Sequence, residues 1–204
     1  MTRSTVTTRR LPAIVLLTAG AMLLSACTML QRNRVSVDYY AISGNSTTAL
    51  DREIRRKGPR ISDGRHAVAV ARIRMIPRLD YGGPAGACGV RRAKVVVDAK
   101  VTLPRLVNRR AASAHVSKAW DNIDRYTRLH EAMHVAIAFR YAKQMEAAAL
   151  ALPAKDDCRS ARTAAMAVLS ELLERHDAAQ RKFDADEQAR FDRLASGRPG
   201  RRGS

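Results

Sequence analysis

The run His130-Glu131-Ala132-Met133-His134 has the residue types and the spacing of a metal-dependent hydrolase. On a helix, positions four apart stand one turn above each other on the same face, so His130 and His134 can offer two imidazole nitrogens to one zinc ion. Glu131 lies about 100° round the helix from His130, where it can reach a water on the metal without ligating it. Zinc polarises a carbonyl and lowers the pKa of a water it holds to about 7, and a nearby carboxylate can take that water's proton and pass it to a leaving amine. Glu131 is therefore the candidate general base, with His130 and His134 the candidate ligands. The bland reading is two ordinary helix histidines beside a solvated glutamate, because the pattern also arises by chance in long helices.

A catalytic zinc takes a third protein ligand and keeps one position open. No His-x-x-Gly-x-x-His follows from His134, which excludes a metzincin. Further along, His176, Asp184 and Glu187 are the candidates. If the flanking helices fold back about a turn near residues 153–157, the level of Ala132 faces Asp177, which favours His176. The competing readings are a packed core histidine for His176 and a charged helix surface for the two carboxylates.

These residues need a frame. From about residue 112 to residue 152 there is no Gly or Pro, and Ile123, Tyr126, His130, Met133, Ile137 and Tyr141 recur at three- and four-residue steps, so the motif lies on a long helix. After a turn, residues 158 to about 193 form a second, with Ala165, Leu169, Leu172, His176, Ala179 and Phe183 on one face. Upstream, Val35, Val37 and Tyr39 alternate with polar neighbours as a first strand. Thr47 or Thr48 can cap a short helix bearing Leu50 and Ile54, which Gly58-Pro59 stops. A second strand runs over 66–76, and the glycines and prolines from Pro77 to Gly89 read as a loop. The clearest strand carries Val95, Val97, Ala99, Val101 and Leu103, and Pro104 is expected to end it. The pattern gives an α+β domain, a small antiparallel sheet followed by a two-helix hairpin of zincin-like build.

The first residues belong elsewhere. Arg3, Arg9 and Arg10 precede an apolar run from Leu11 to Leu24, and Leu24-Ser25-Ala26-Cys27 follows at once, so residues 1–26 read as an export signal. The run of about 14 residues is short of the roughly 20 that cross a bilayer. Leu-Ser-Ala-Cys resembles the lipobox of bacterial lipoproteins, which implies that Cys27 is lipidated and that Thr28 after it directs the protein to the outer membrane, on the periplasmic side. Residues 27–34 are then a tether, 35–193 the zinc-peptidase-like domain and 194–204 a disordered basic tail. In an exported domain Cys88 and Cys158 most simply form one disulfide.

The net charge of +18 could attract nucleic acid, anionic lipid or an anionic cell-envelope polymer. Scattered arginines and few aromatics leave no stacking platform, which argues against nucleic acid. The partners expected are a peptide or protein substrate, the membrane through the anchor, and a cell-envelope polymer.

The ordered set Tyr39-Tyr40-Ala41-Ile42-Ser43-Gly44, Gly58-Pro59, Cys88, Leu103-Pro104, Trp120, His130 to His134, Cys158 and Phe183-Asp184-Ala185-Asp186-Glu187 resembles the family of predicted secreted zinc-dependent proteases of bacteria, catalogued as a domain of unknown function. The resemblance runs from about Tyr39 to Arg190. It implies a zinc peptidase fold, a Cys88–Cys158 pair, and Asp184 ahead of Glu187 and His176 as third ligand. Many members carry Thr and His where this chain has Glu187 and Ala189, so Asp184 is the residue of that segment that still matches. A non-catalytic envelope lipoprotein that keeps the fold and binds an anionic polymer or a protein partner is the alternative.

Overall fold

The computed structural model describes residues 33–61 and 64–196. The expected signal segment, Cys27 and all but the end of the tether lie outside them, as does the tail beyond Ser196. Three strands and three α-helices follow in the order β1 (Arg34–Ile42), α1 (Thr47–Lys57), β2 (Val70–Gly82), β3 (Gly89–Leu106), α2 (Ala114–Leu150) and α3 (Cys158–Ala195). The class is α+β, as the pattern implies. The sheet, however, is mixed: β3 is central, pairing antiparallel with β2 and parallel with β1. The cause is α1, which separates β1 from β2 and lets the chain return on the far edge of β3 instead of turning back as a hairpin.

Two prolines lie inside strands, against expectation. The backbone N–H groups of Val95 and Val97 are bonded by the side chains of Glu146 and Asn33, at 2.9 Å each, on the side where β1 has not yet begun. Odd-numbered residues of this stretch therefore point their backbone groups toward β1, and even-numbered ones toward β2. Pro77, opposite Val95, is then at a pair without ladder bonds and turns its missing donor outward on the edge strand. Pro104 would have donated toward β2, which has already ended at Val70 opposite Thr102. β2 thus runs on to Gly82 and β3 to Leu106, joined by a turn where Gly86 takes a φ of +77° and a side chain on Gly83 would collide with the Ala87 carbonyl.

Val95, Val97, Ala99, Val101 and Leu103 form the buried face of β3. Val135, Ala138, Ala142, Met145 and Ala149 of α2 pack on it, and the run of alanines lets the helix approach closely. Tyr126, His130 and Tyr141 of the periodic row face α3, where they meet Phe191, Phe183 and His176. Met133 of that row is exposed. Val35, Val37 and Tyr39 of β1 are also substantially exposed, although the Arg128 guanidinium of α2 reaches the Tyr39 hydroxyl at 3.2 Å. A second cluster of Ile42, Leu50, Ile54, Leu106, Val116 and Trp120 seats α1. Its N-cap is Ser46, whose hydroxyl accepts from the Ala49 N–H at 3.1 Å, one residue before the threonines expected there.

The turn between α2 and α3 is fixed from outside. Cys88 and Cys158 form a disulfide with their Cα atoms 5.0 Å apart, and Cys88 exchanges backbone hydrogen bonds of 2.6 and 2.8 Å with Lys155. Asp157 caps α3, accepting from the Ser160 N–H at 2.8 Å.

Candidate metal centre

α2 is a continuous helix through residues 130–134, so the i, i+4 geometry of the two histidines is realised. Opposite it, His134 meets Gln180 and His130 meets Asp184. The level of Ala132 therefore lies between Gln180 and Asp184, not at Asp177. The connection between the helices is paired to the sheet through Lys155 and Cys88, and the returning helix takes a register several residues from the one expected.

Three ligand-type atoms converge. His130 Nε2 and His134 Nε2 are 3.1 Å apart, and Asp184 Oδ1 is 3.3 and 3.0 Å from them. Ligands about 2.0–2.1 Å from a tetrahedral zinc stand roughly 3.3 Å from one another, so these atoms have the size of one face of such a shell. The group can hold a metal ion. Asp184 sits on the rim with its side chain 55% exposed, and solvent reaches the group from that side.

Glu131 is 5% exposed, beneath the same opening. The backbone N–H of Ala71, on the outer edge of β2, faces its carboxylate. Burial, reinforced by Asp184, pushes its pKa up to about 6 against the opposing pull of His134 and the Ala71 N–H. Burial and the neighbouring His134 lower the pKa of His130, favouring its neutral, ligating form. The buried polar residues among those described are Thr127, Glu131 and His176, and all three line the cleft around this group. The cleft has two lobes that share Ala69, His130, Glu131 and Asp184. One of about 460 Å³ reaches Gln180 and His176, and one of about 770 Å³ is walled by Ile123, Tyr126 and Phe191.

The other two ligand candidates are nearby but not in the group. Glu187 accepts a 3.2 Å bond from the Tyr126 hydroxyl and pairs with Arg190. Burial and Glu187 together push the Tyr126 pKa up to about 12, and its oxygen lies 3.5 Å from His130 Nδ1. His176 is buried against Tyr141 with Asp177 on one ring nitrogen and Gln180 on the other. Ala189, at the position where the resembling family carries histidine, is exposed. Gln180, Tyr126 and Ala71 were not singled out by the sequence. The four-residue steps His176, Gln180, Asp184 on one face of α3 were the available signal.

Among the described residues no helix is long and apolar enough to cross a membrane. Comparison with curated proteins and with solved structures finds no match. Residues 37–192 match the family model described as "Bacterial protein of unknown function (DUF922)". That span covers most of the chain and contains the whole metal-binding group, so the protein belongs to the DUF922 family.

Proposed function

We propose that the protein is a zinc-dependent peptidase held at the periplasmic face of the bacterial outer membrane by lipid on Cys27. The observation that carries the activity is a trio of ligand atoms, on His130, His134 and Asp184, in an open cleft with the buried carboxylate of Glu131. Two imidazoles and one carboxylate leaving a position free is the donor set of zinc hydrolases rather than of closed structural sites. Bound there, zinc supplies a Lewis acid for the scissile carbonyl and acidifies a water.

The chain's own residues account for the rest. Glu131 accepts the proton of the attacking water as the C–O bond forms, and delivers it to the amide nitrogen as the C–N bond breaks. The Ala71 N–H facing that carboxylate favours its ionised form. The outer edge of β2, beside α2, has no neighbouring strand among the described residues and can take an extended peptide as an added strand.

The test is metal content by mass spectrometry together with cleavage of an unstructured protein, for the wild type and Glu131→Gln. We expect both to bind one zinc per chain, and the variant to lose activity by about 10²–10⁴-fold. Metal-loaded wild type that cleaves nothing in a Glu131-dependent way sinks the enzyme reading, and salt-dependent retention on anionic envelope polymer would then favour a binding lipoprotein. The anchor is tested separately: Cys27→Ala should leave the membrane fraction.

A further inference from the structure

The environment of His134 is ordered by a chain of hydrogen bonds that starts from a group with a single possible role. The backbone carbonyl of His134 can only accept, and Gln180 Nε2 lies 3.0 Å from it. This fixes the orientation of the Gln180 amide, since the reversed amide would set oxygen against oxygen. Gln180 Oε1 is then the atom 2.6 Å from His134 Nδ1. An amide oxygen only accepts, so His134 Nδ1 must carry the proton, and Nε2 is left with its lone pair toward Asp184 and His130.

The second amide hydrogen of Gln180 has one partner, His176 Nε2 at 2.9 Å. That nitrogen accepts, so the His176 proton is on Nδ1, which faces Asp177 Oδ1 at 2.9 Å. Every donor in the series meets an acceptor: Asp177, His176, Gln180, His134. His176 is 6% exposed, and a buried imidazole with both nitrogens bonded has little freedom to rotate.

We infer that Gln180 and His176 are positioning residues that lock His134 in the Nδ1–H tautomer and aim its Nε2 into the metal-binding group. The inference rests on the metal reading for its purpose but not for its geometry. A ligating histidine normally donates its other N–H to a carboxylate or carbonyl, which orients the ring and raises its basicity. Here a side-chain amide takes that place, itself oriented by a buried histidine and a surface aspartate. On the other ligand, His130 Nδ1 faces the Tyr126 hydroxyl, which donates to Glu187, so each imidazole leads outward to a carboxylate of α3.

The test is the ¹⁵N chemical shifts of the histidine rings in the metal-free protein, at alkaline pH where they are neutral, with a competition titration for zinc. Wild-type His134 should show a protonated Nδ1. Gln180→Leu should lose that preference and bind zinc about 10–100-fold more weakly, with the melting of the metal-free protein little changed. Gln180→Glu, which keeps an acceptor at that point, should restore the tautomer. A wild-type His134 protonated on Nε2 overturns the inference even if Gln180→Leu fails to fold, as does a leucine variant with unchanged tautomer and affinity. A tautomer switch in a protein that binds no zinc upholds the ordering of His134 and removes only the metal reading.

Discussion

At the scale of single residues, Asp184 and Glu187 are two carboxylates one turn apart on α3 whose surroundings assign them different work. Asp184 Oδ1 lies 3.0 and 3.3 Å from the two imidazole nitrogens, whereas Glu187 is engaged by Tyr126 and Arg190. Asp184→Asn replaces a charged donor with a neutral one, and we expect it to weaken zinc binding by more than the roughly 10–100-fold typical of groups that only orient ligands. Glu187→Gln, which leaves an oxygen for Tyr126, should stay within about tenfold of the wild type. Isothermal titration of both variants checks this, and the opposite ranking would move the third ligand to Glu187. The histidines and Glu131 were legible in the sequence because their geometry is set within one helix by its 3.6-residue period. Spacing alone favoured His176 as third ligand, because the choice depends on the register of α3 against α2, and it was the family resemblance that put Asp184 first, the residue found in the group. A shift of a few residues at the turn moves His176 out of the group and Asp184 into it. Gln180 was less visible still, since an amide carries no charge to mark it.

At the scale of elements, the side chain of Glu146 substitutes for a missing strand. β1 starts opposite Asp98, so β3 would leave the Val95 N–H unpaired in the core, and the Glu146 carboxylate of α2 accepts it at 2.9 Å. Burial alone would raise the pKa of Glu146, but the Val95 N–H, Lys94 and Lys143 outweigh it and the net shift is downward. A carboxylate depressed in the folded state adds stability that is full above its unfolded pKa and is lost as pH falls through the folded one. The wild type should therefore melt higher than Glu146→Gln at neutral pH, with the gap closing as pH drops below the ordinary value of 4.5. Melting curves of the two proteins between neutral and acid pH decide it, and a gap independent of pH would rule the linkage out. This stretch also shows why the strands were less legible than the helices. Alternation located β3, but proline punctuation cut it and β2 short. Whether a proline is tolerated depends on which neighbour its missing donor would face, and that neighbour is distant in sequence. In β1 the alternation of Val35, Val37 and Tyr39 gave the right element, yet its apolar face stays substantially exposed.

At the scale of the whole molecule, the metal-binding group depends on a clamp far from it. Asp184 stands 26 residues along α3 from Cys158, about 39 Å at 1.5 Å per residue. The start of α3, capped by Asp157, is tied to the start of β3 by the disulfide and by the Cys88–Lys155 backbone pair. Beyond that, α3 packs through Ala161, Ala165 and Leu169 and, nearer the metal-binding group, through His176, Phe183 and Phe191 against Tyr141, His130 and Tyr126 of α2. The disulfide closes a sequence separation of 70 residues, for which chain entropy gives a stabilisation on the order of 4 kcal/mol. Replacing both cysteines with serine should lower the unfolding free energy in urea by about that amount. It should also weaken zinc binding under conditions where the protein stays folded, because Asp184 and Gln180 face His130 and His134 only in one register. Equal urea midpoints would exclude a stabilising role for the bond. A destabilised variant with unchanged zinc affinity would assign the register of α3 to its helix packing alone, since a clamp that sets the alignment of two helices must, when cut, disturb the atoms that the alignment brings together.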